Sequence, residues 1–164
     1  MEGLKPVLFG LTTTDKLWPL IHPPLLFGWG PLLLAPRWKH TKMLTLALPL
    51  MHGLLYSAVF LPMMLSPTPD GQSEPDISSM QSIFSLFGDP DIFFCGWIHY
   101  LAFDLLVARG IAQDALEVCK ISNFQYYAMV TPCLFACFYC GPVGFVAYMA
   151  LRATVFAPSS LEKK

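Results

Sequence analysis

The chain has 164 residues, of which 55% are hydrophobic and 13% are charged, and its mean hydropathy is +0.54. This composition excludes an ordinary water-soluble globule and is typical of a membrane protein the length of one domain. The net charge of −1 and the lack of a basic block give no support to nucleic-acid binding.

The N-terminal segment lacks the pattern of a targeting sequence. It has neither the basic start and A-x-A end of a secretory signal nor the Arg- and Ser-rich composition of an organelle transit peptide. Glu2 also breaks the N-myristoylation pattern. We therefore expect that a targeting segment is either not needed or already removed.

The first two predicted transmembrane helices cover 17–36 and 43–66. Residues 17–36 contain no Asp, Glu, Lys or Arg, and about twenty such residues cross a hydrocarbon core of ~30 Å. We expect the first helix to be kinked or partly broken, with freed carbonyls satisfied by neighbouring helices, because of four prolines: Pro19, Pro23, Pro24 and Pro31. The second helix is apolar apart from His52, Pro49 and Pro62.

A polar loop at 66–75 leads into a short amphipathic segment. Starting from Ser79, a good N-cap, apolar side chains recur at helical spacing until Gly88: Met80, Ile83, Phe84 and Phe87. We predict an interfacial helix over 79–87 that lies on the membrane surface.

The third predicted span, 91–109, carries the most informative residues of the chain. Asp89 is a good N-cap and Pro90 a good first helical residue, so the helix should start there. Between 92 and 108 the only formal charge is Asp104. A carboxylate at the bilayer centre costs roughly 2.5 to 3.5 kcal/mol, so it tends to be kept only where it faces a partner, a cavity or a substrate.

The fourth predicted span is 128–150, in which Pro132 and the group 141–144 indicate a bend or a close helix approach. The predicted fold is therefore an all-α membrane protein. It forms a single integral membrane domain, 1–164, with four transmembrane helices and one interfacial helix between the second and third. With four spans, five of the ten Lys and Arg residues fall on each side of the membrane, and Arg152 lies on the side opposite Arg37. These charges therefore leave the orientation of the chain in the membrane open.

Asp104 and His99 are the candidate catalytic residues. On an ideal helix they lie about 140° apart and roughly 7.5 Å along the axis, so they do not share a face. Asp104 either forms an interhelical hydrogen bond, with Tyr56, His52 or Thr131 as candidate partners, or handles a ligand or a proton directly.

One histidine falls on each of the first three spans: His22, His52 and His99. If they converged, they could ligate a metal, a haem iron or a chlorophyll magnesium. Intramembrane hydrogen bonding is the simpler interpretation, since the chain has no H-x-x-x-H or H-x-x-H pair. We predict no metal and no cofactor. Among the five cysteines, Cys133, Cys137 and Cys140 share one helix face, which favours packing over a disulfide framework or a thiol site.

The string WIHYLAFDL at 97–105, closed by Arg109 and followed by Pro132-Cys133 and the sequence GPVG at 141–144, resembles the abscisic-acid-deficient-four family. The likeness covers most of the chain. Members are small four-helix membrane proteins, and the plant members act in neoxanthin formation in plastid membranes. The resemblance implies a multi-pass protein of carotenoid biosynthesis, with membrane lipids, a carotenoid (a xanthophyll) and other membrane proteins as candidate partners.

The implied reaction is the isomerisation of violaxanthin to neoxanthin, which needs an acid and a base in an apolar slot but no cofactor. Asp104 is the candidate acid and neutral His99 the candidate base. The predicted ligand contacts are Trp97, Tyr100, Phe103, Arg109, His52 and His22. Two alternatives stay open: a non-catalytic protein that binds a carotenoid or lipid or assists complex assembly, and a small transporter or proton-coupled channel.

Overall fold

The computed structural model describes residues 6–8, 10–65 and 77–156, and these are almost entirely helical. A single isolated bridge, between Val7 and Thr12, precedes the first helix in this part of the chain. The helices are α1 (Thr14–Leu34), α2 (Thr41–Leu65), α3 (Met80–Leu86), α4 (Pro90–Gln113), α5 (Asn123–Gln125), α6 (Thr131–Cys140) and α7 (Pro142–Thr154). Two π-helical turns, Asp114–Val118 and Tyr126–Val130, follow α4 and precede α6.

Three helices among the described residues are long and apolar enough to cross a membrane: Thr14–Leu34, Thr41–Leu65 and Pro90–Val118. The third begins where the sequence predicts. Asp89 Oδ1 accepts hydrogen bonds from the N–H groups of Asp91 (2.8 Å) and Ile92 (3.3 Å), which caps the helix before Pro90. The chain is therefore an all-helical protein with several candidate membrane spans.

Helix α1 runs from Thr14 to Leu34 without interruption despite its prolines. The carbonyl of Ile21, two residues before Pro23, accepts a hydrogen bond from His52 Nε2 of α2 at 2.8 Å. His52 is almost fully buried, so this bond satisfies two polar groups in an apolar setting. A proline frees the carbonyl four residues before it, and Ile21 is not at such a position, so the predicted satisfaction of freed carbonyls by neighbouring helices stays a prediction.

Helix α3 is the predicted short helix, with Ser79 Oγ accepting from the N–H of Ser82 at 3.1 Å. None of its residues is buried. Its apolar side chains and that of its C-cap residue, Phe87, are exposed to a large degree: Met80 86%, Phe84 72%, Phe87 48% and Ile83 40%. The helix is observed, and its place on the membrane surface stays a prediction.

The chain divides into two compact units. Unit 1 comprises Met1–Pro24 and Leu50–Ala102, and unit 2 comprises Leu25–Pro49 and Phe103–Lys164. Helices α1, α2 and α4 each contribute residues to both units. The core of unit 1 is a cluster of buried side chains from the N-terminal turn, α1, α2 and α4: Val7, Ile21, Val59, Phe94, Cys95 and Ile98.

In unit 2, helices α6 and α7 form a hairpin that reverses at Gly141. Gly141 has φ +45°, which a residue with a side chain rarely adopts. A Cβ on Gly144 would lie 2.2 Å from the carbonyl oxygen of Cys133 and 2.3 Å from the nitrogen of Cys137, so the two backbones touch. In a straight helix, residues 137 and 144 would be about 10 Å apart. The predicted fourth span, 128–150, is therefore not confirmed, because this region is a helical hairpin and not one helix.

Candidate functional site

Four aromatic side chains of unit 1 form a continuous surface, which we call the aromatic wall: Trp18, Phe93, Trp97 and Tyr100. Trp18 stacks on Phe93 with ring centroids 6.2 Å apart, and Phe93 stacks on Trp97, also at 6.2 Å. Trp97 contacts Trp18 at 5.7 Å and Tyr100 at 5.6 Å. Phe93, Trp97 and Tyr100 are spaced i, i+4 and i+7, which places them on one face of α4.

A cavity of about 400 Å³ lies at one end of this wall, where α1 and α4 begin. Half of its lining residues are aromatic, and its polar side chains come from the first turn of α1. The lining residues are Thr14, Asp15, Trp18, Phe87, Gly88, Pro90, Phe93 and Phe94. Its volume falls within the roughly 300–1,000 Å³ of small-molecule sites, and a mostly apolar lining with few polar groups is also typical of them.

His22 fixes the orientation of Trp97. Its Nδ1 lies 2.9 Å from the carbonyl oxygen of Trp18, and its Nε2 lies 3.0 Å from Trp97 Nε1. A carbonyl only accepts and an indole N–H only donates, so the His22 proton is on Nδ1 and Nε2 is the acceptor. His22 therefore orients the wall, and both of its ring nitrogens are occupied.

The other two histidines of unit 1 have different neighbours. The exposed ring of His99 meets Tyr56 edge-on at 6.0 Å, while His52 donates to the Ile21 carbonyl, as described above. No group of three or more His, Cys, Asp or Glu side chains suited to a metal ion occurs in the described part of the chain. The absence of a metal or cofactor stays a prediction.

In unit 2, the carboxylate of Asp104 lies against the turn of the hairpin. A Cβ on Gly141 would be 2.9 Å from Asp104 Oδ1, and Oδ2 is also buried. Cys137 is an electrostatic neighbour of Asp104. Helix α7 starts at Pro142, and a helix N-terminus carries a partial positive charge that favours a nearby carboxylate. The hydrogen bond to Thr131 considered above is not formed, since Thr131 Oγ1 has no partner among the described residues.

Two other predicted ligand contacts, Phe103 and Arg109, also belong to unit 2. Phe103 is 57% exposed. Arg109 lines a cavity of about 20 Å³, about the size of one water molecule, beside Thr45, Gln113 and Glu117. Its buried Nε has no hydrogen-bond partner in the described part of the chain. Of the six predicted ligand contacts, the structure therefore brings three together: His22, Trp97 and Tyr100. The other three have different surroundings.

The sequence did not point to two further polar groups. Thr14 Oγ1 donates to the buried carboxylate of Asp91 at 2.6 Å, which joins the first turns of α1 and α4 in unit 1. A capping-type Thr three residues before the first predicted span and an Asp at the start of the third are a weak sequence signal for such a pair.

The second group lies in unit 2, where Asp114 accepts hydrogen bonds from Tyr148 Oη and from Arg152 Nε, the latter at 2.8 Å. Cys119 Sγ is 3.6 Å from the same carboxylate. Burial and the charge of Asp114 raise the pKa of the Cys119 thiol, which disfavours a reactive thiolate. This group holds the end of the hairpin against the end of α4.

Comparison with known proteins identifies a family that the chain matches. The family described as ABA DEFICIENT 4-like (ABA4-like) matches residues 17–148. No curated protein and no solved structure matches the chain.

Proposed function

Since the chain belongs to the ABA4-like family, we propose that it binds a xanthophyll and takes part in converting violaxanthin to neoxanthin in a plastid membrane. The observation that carries this proposal is the aromatic wall with a cavity of about 400 Å³ at its end. Both features suit a long, flat ligand with an oxygenated ring.

The dimensions support one ring of the ligand in the cavity and part of the polyene on the wall. From Phe93 to Tyr100 the wall extends about 10 Å along α4. Aromatic faces stack on conjugated, flat surfaces, and each aromatic pair contributes about 0.5–1.5 kcal/mol beyond its buried area. Trp18 is 37% and Phe93 45% exposed, so both have free surface for such contacts.

The polar end of the cavity suits the ring hydroxyl. Asp15 lines the cavity, and its carboxylate would accept a hydrogen bond from a hydroxyl group. Thr14 Oγ1 already donates to Asp91, which leaves its oxygen lone pairs as further acceptors. We assign Asp15 the recognition of the ring hydroxyl.

The reaction is an isomerisation and requires no redox partner. The epoxide C–O bond breaks and its oxygen takes a proton, while the adjacent chain carbon loses a proton and its electron pair forms the allene. Asp104, in unit 2, stays the proposed acid, and His99, in unit 1, stays the proposed base, each as a separate prediction.

A non-catalytic role as a xanthophyll-binding or complex-assembly protein is the second candidate. The two hydrogen bonds of His22 favour it, because the bond from Trp97 to Nε2 orients a binding surface and the bond from Nδ1 to the Trp18 carbonyl occupies the other ring nitrogen. Under this proposal Asp104 only stabilises the hairpin turn.

The deciding experiment expresses the chain in a bacterium engineered to make violaxanthin and measures the pigments in the cells and on the purified protein. If the unmodified protein makes neoxanthin and Asp104→Asn makes none but still binds violaxanthin, the result supports an enzyme. Violaxanthin bound without neoxanthin supports the binding protein. Trp97→Leu should remove bound pigment in either case, whereas Phe135→Leu, a change at an exposed aromatic residue of α6, serves as the control. Unchanged pigment binding in Trp97→Leu would reject the wall as the site.

A further inference from the structure

One end of unit 2, which we call the basic end, collects most of that unit's charged side chains. It consists of the connector 35–40, the start of α2, the end of α4 with its π-helical turn, the loop 119–122 and the end of α7. Among the described residues it carries two carboxylates, Asp114 and Glu117, and six cationic side chains: Arg37, Lys39, Lys42, Arg109, Lys120 and Arg152.

Hydrogen bonds hold the segments of the basic end together. Arg37 donates to Asn123 Oδ1 at 2.7 Å and to the carbonyl of Ile121 at 2.8 Å. Tyr126 and Tyr127 donate to the carbonyls of Leu32 and Leu34 at the end of α1, both at 2.9 Å. The connector 35–40 and the loop 119–122 therefore lie side by side.

The hairpin adds the end of α7 to this surface. Residues 126–140 and α7 would each span only about 20 Å, which is too short for a ~30 Å hydrocarbon core. Since the chain reverses at Gly141, Arg152 returns to the level of Asp114, which its Nε contacts at 2.8 Å. A straight fourth span would have placed Arg152 on the opposite side of the membrane.

The basic end keeps an excess of positive charge after internal pairing. Arg152 pairs with Asp114, and Lys42 pairs with Glu117 at 2.8 Å. Lys39 and Lys120 are exposed side chains at the same end. Trp38 is 48% and Tyr127 45% exposed nearby, and such aromatic residues are enriched at the level of lipid headgroups.

We propose that the basic end binds the phosphate groups of anionic phospholipids on the cytoplasmic side of the membrane, which in plastids is the stromal side. Lys and Arg are enriched on this side in membrane proteins, and juxtamembrane cations are attracted by its anionic lipids. The proposal fixes the orientation that the sequence left open, because Arg152 joins the connector 35–40.

The lipid test is native mass spectrometry of the purified protein titrated with phosphatidylglycerol or phosphatidylcholine. Phosphatidylglycerol should bind more tightly, and Lys39→Gln with Lys120→Gln should weaken it about fivefold per lysine, while phosphatidylcholine binding is unchanged. Lys16→Gln, which changes an exposed lysine of unit 1, is the matched control. Equal affinity for the two lipids, an equal effect of the control, or full competition by inorganic phosphate would each overturn the proposal.

The orientation is tested separately with green fluorescent protein and alkaline phosphatase fused to the C-terminus or inserted in the connector 35–40, in a bacterium. Both positions should give fluorescence and no phosphatase activity. Phosphatase activity at either position would overturn the proposal, because at least one part of the basic end would then face the periplasm.

Discussion

His22 connects two helices of unit 1 through the hydrogen bond that Trp97 donates to its Nε2. Removing one partner leaves the other unsatisfied in a partly buried site, whereas removing both costs less. We therefore expect His22→Leu and Trp97→Phe to destabilise the protein singly and to show a coupling free energy of about 1 kcal/mol in a double-mutant cycle. Thermal unfolding in detergent measures this.

The same double-mutant cycle, with pigment binding measured as well, shows whether His22 orients the Trp97 indole or only fills space. If His22 only fills space, the two changes will be additive and His22→Leu will keep the bound pigment. If His22 orients the indole, pigment binding will fall in His22→Leu although Trp97 is still present.

Gly141 is the residue on which the hairpin turn depends. An alanine there would have φ +45° and a Cβ 2.9 Å from Asp104 Oδ1. We expect Gly141→Ala to lower the free energy of unfolding by at least about 1–2 kcal/mol, the usual cost of a left-handed residue with a side chain. Gly30→Ala is the control, since its Cβ meets nothing within 4 Å and should be neutral or stabilising. Part of the loss should be recovered in Gly141→Ala with Asp104→Ala, because the close contact is then gone.

At the level of single elements, local sequence signals predicted what local interactions decide. The N-cap of α4 and the cap of α3 each depend on residues within about one turn. The hairpin could not be predicted in this way. Gly141 and Pro142 equally fit a bend and a reversal, and the contact of Gly144 with Cys133 and Cys137 selects the reversal.

Helix α3 has an apolar side that the described chain leaves uncovered, which fits a helix lying on lipid. In nanodiscs we expect Met80→Gln with Phe84→Gln to detach it, because burying such side chains contributes up to about 1.5–3 kcal/mol each. Amide hydrogen exchange of α3 should become at least about tenfold faster. Gln81→Ala, in the same helix, should leave exchange unchanged. If the amides of α3 exchange as fast in the unmodified protein as in the double variant, α3 does not lie on the membrane surface.

At the level of the whole molecule, the candidate site was only partly predictable because its contacts join residues far apart in sequence. Trp97 and Tyr100 are among the predicted ligand contacts, but the bond from Trp97 to His22 spans 75 residues and that from Tyr148 to Asp114 spans 34. Periodicity shows which face a residue occupies and gives no information on which helix that face meets.

The hairpin also determines how far apart Cys119 and residue 152 are. Both contact the carboxylate of Asp114, so a cysteine at position 152 should lie within reach of Cys119. In a straight fourth span, residue 152 would be roughly 30 Å beyond residue 130. We expect Arg152→Cys to form an intramolecular cross-link with a short bismaleimide reagent, detected by mass spectrometry as a link between the peptide that contains Cys119 and the peptide that contains position 152. The link should be absent in Arg152→Cys with Cys119→Ser. Failure to form it in folded protein whose Cys119 does react with a monofunctional maleimide would favour a crossing helix, and the C-terminus would then lie on the same side as the start of α1.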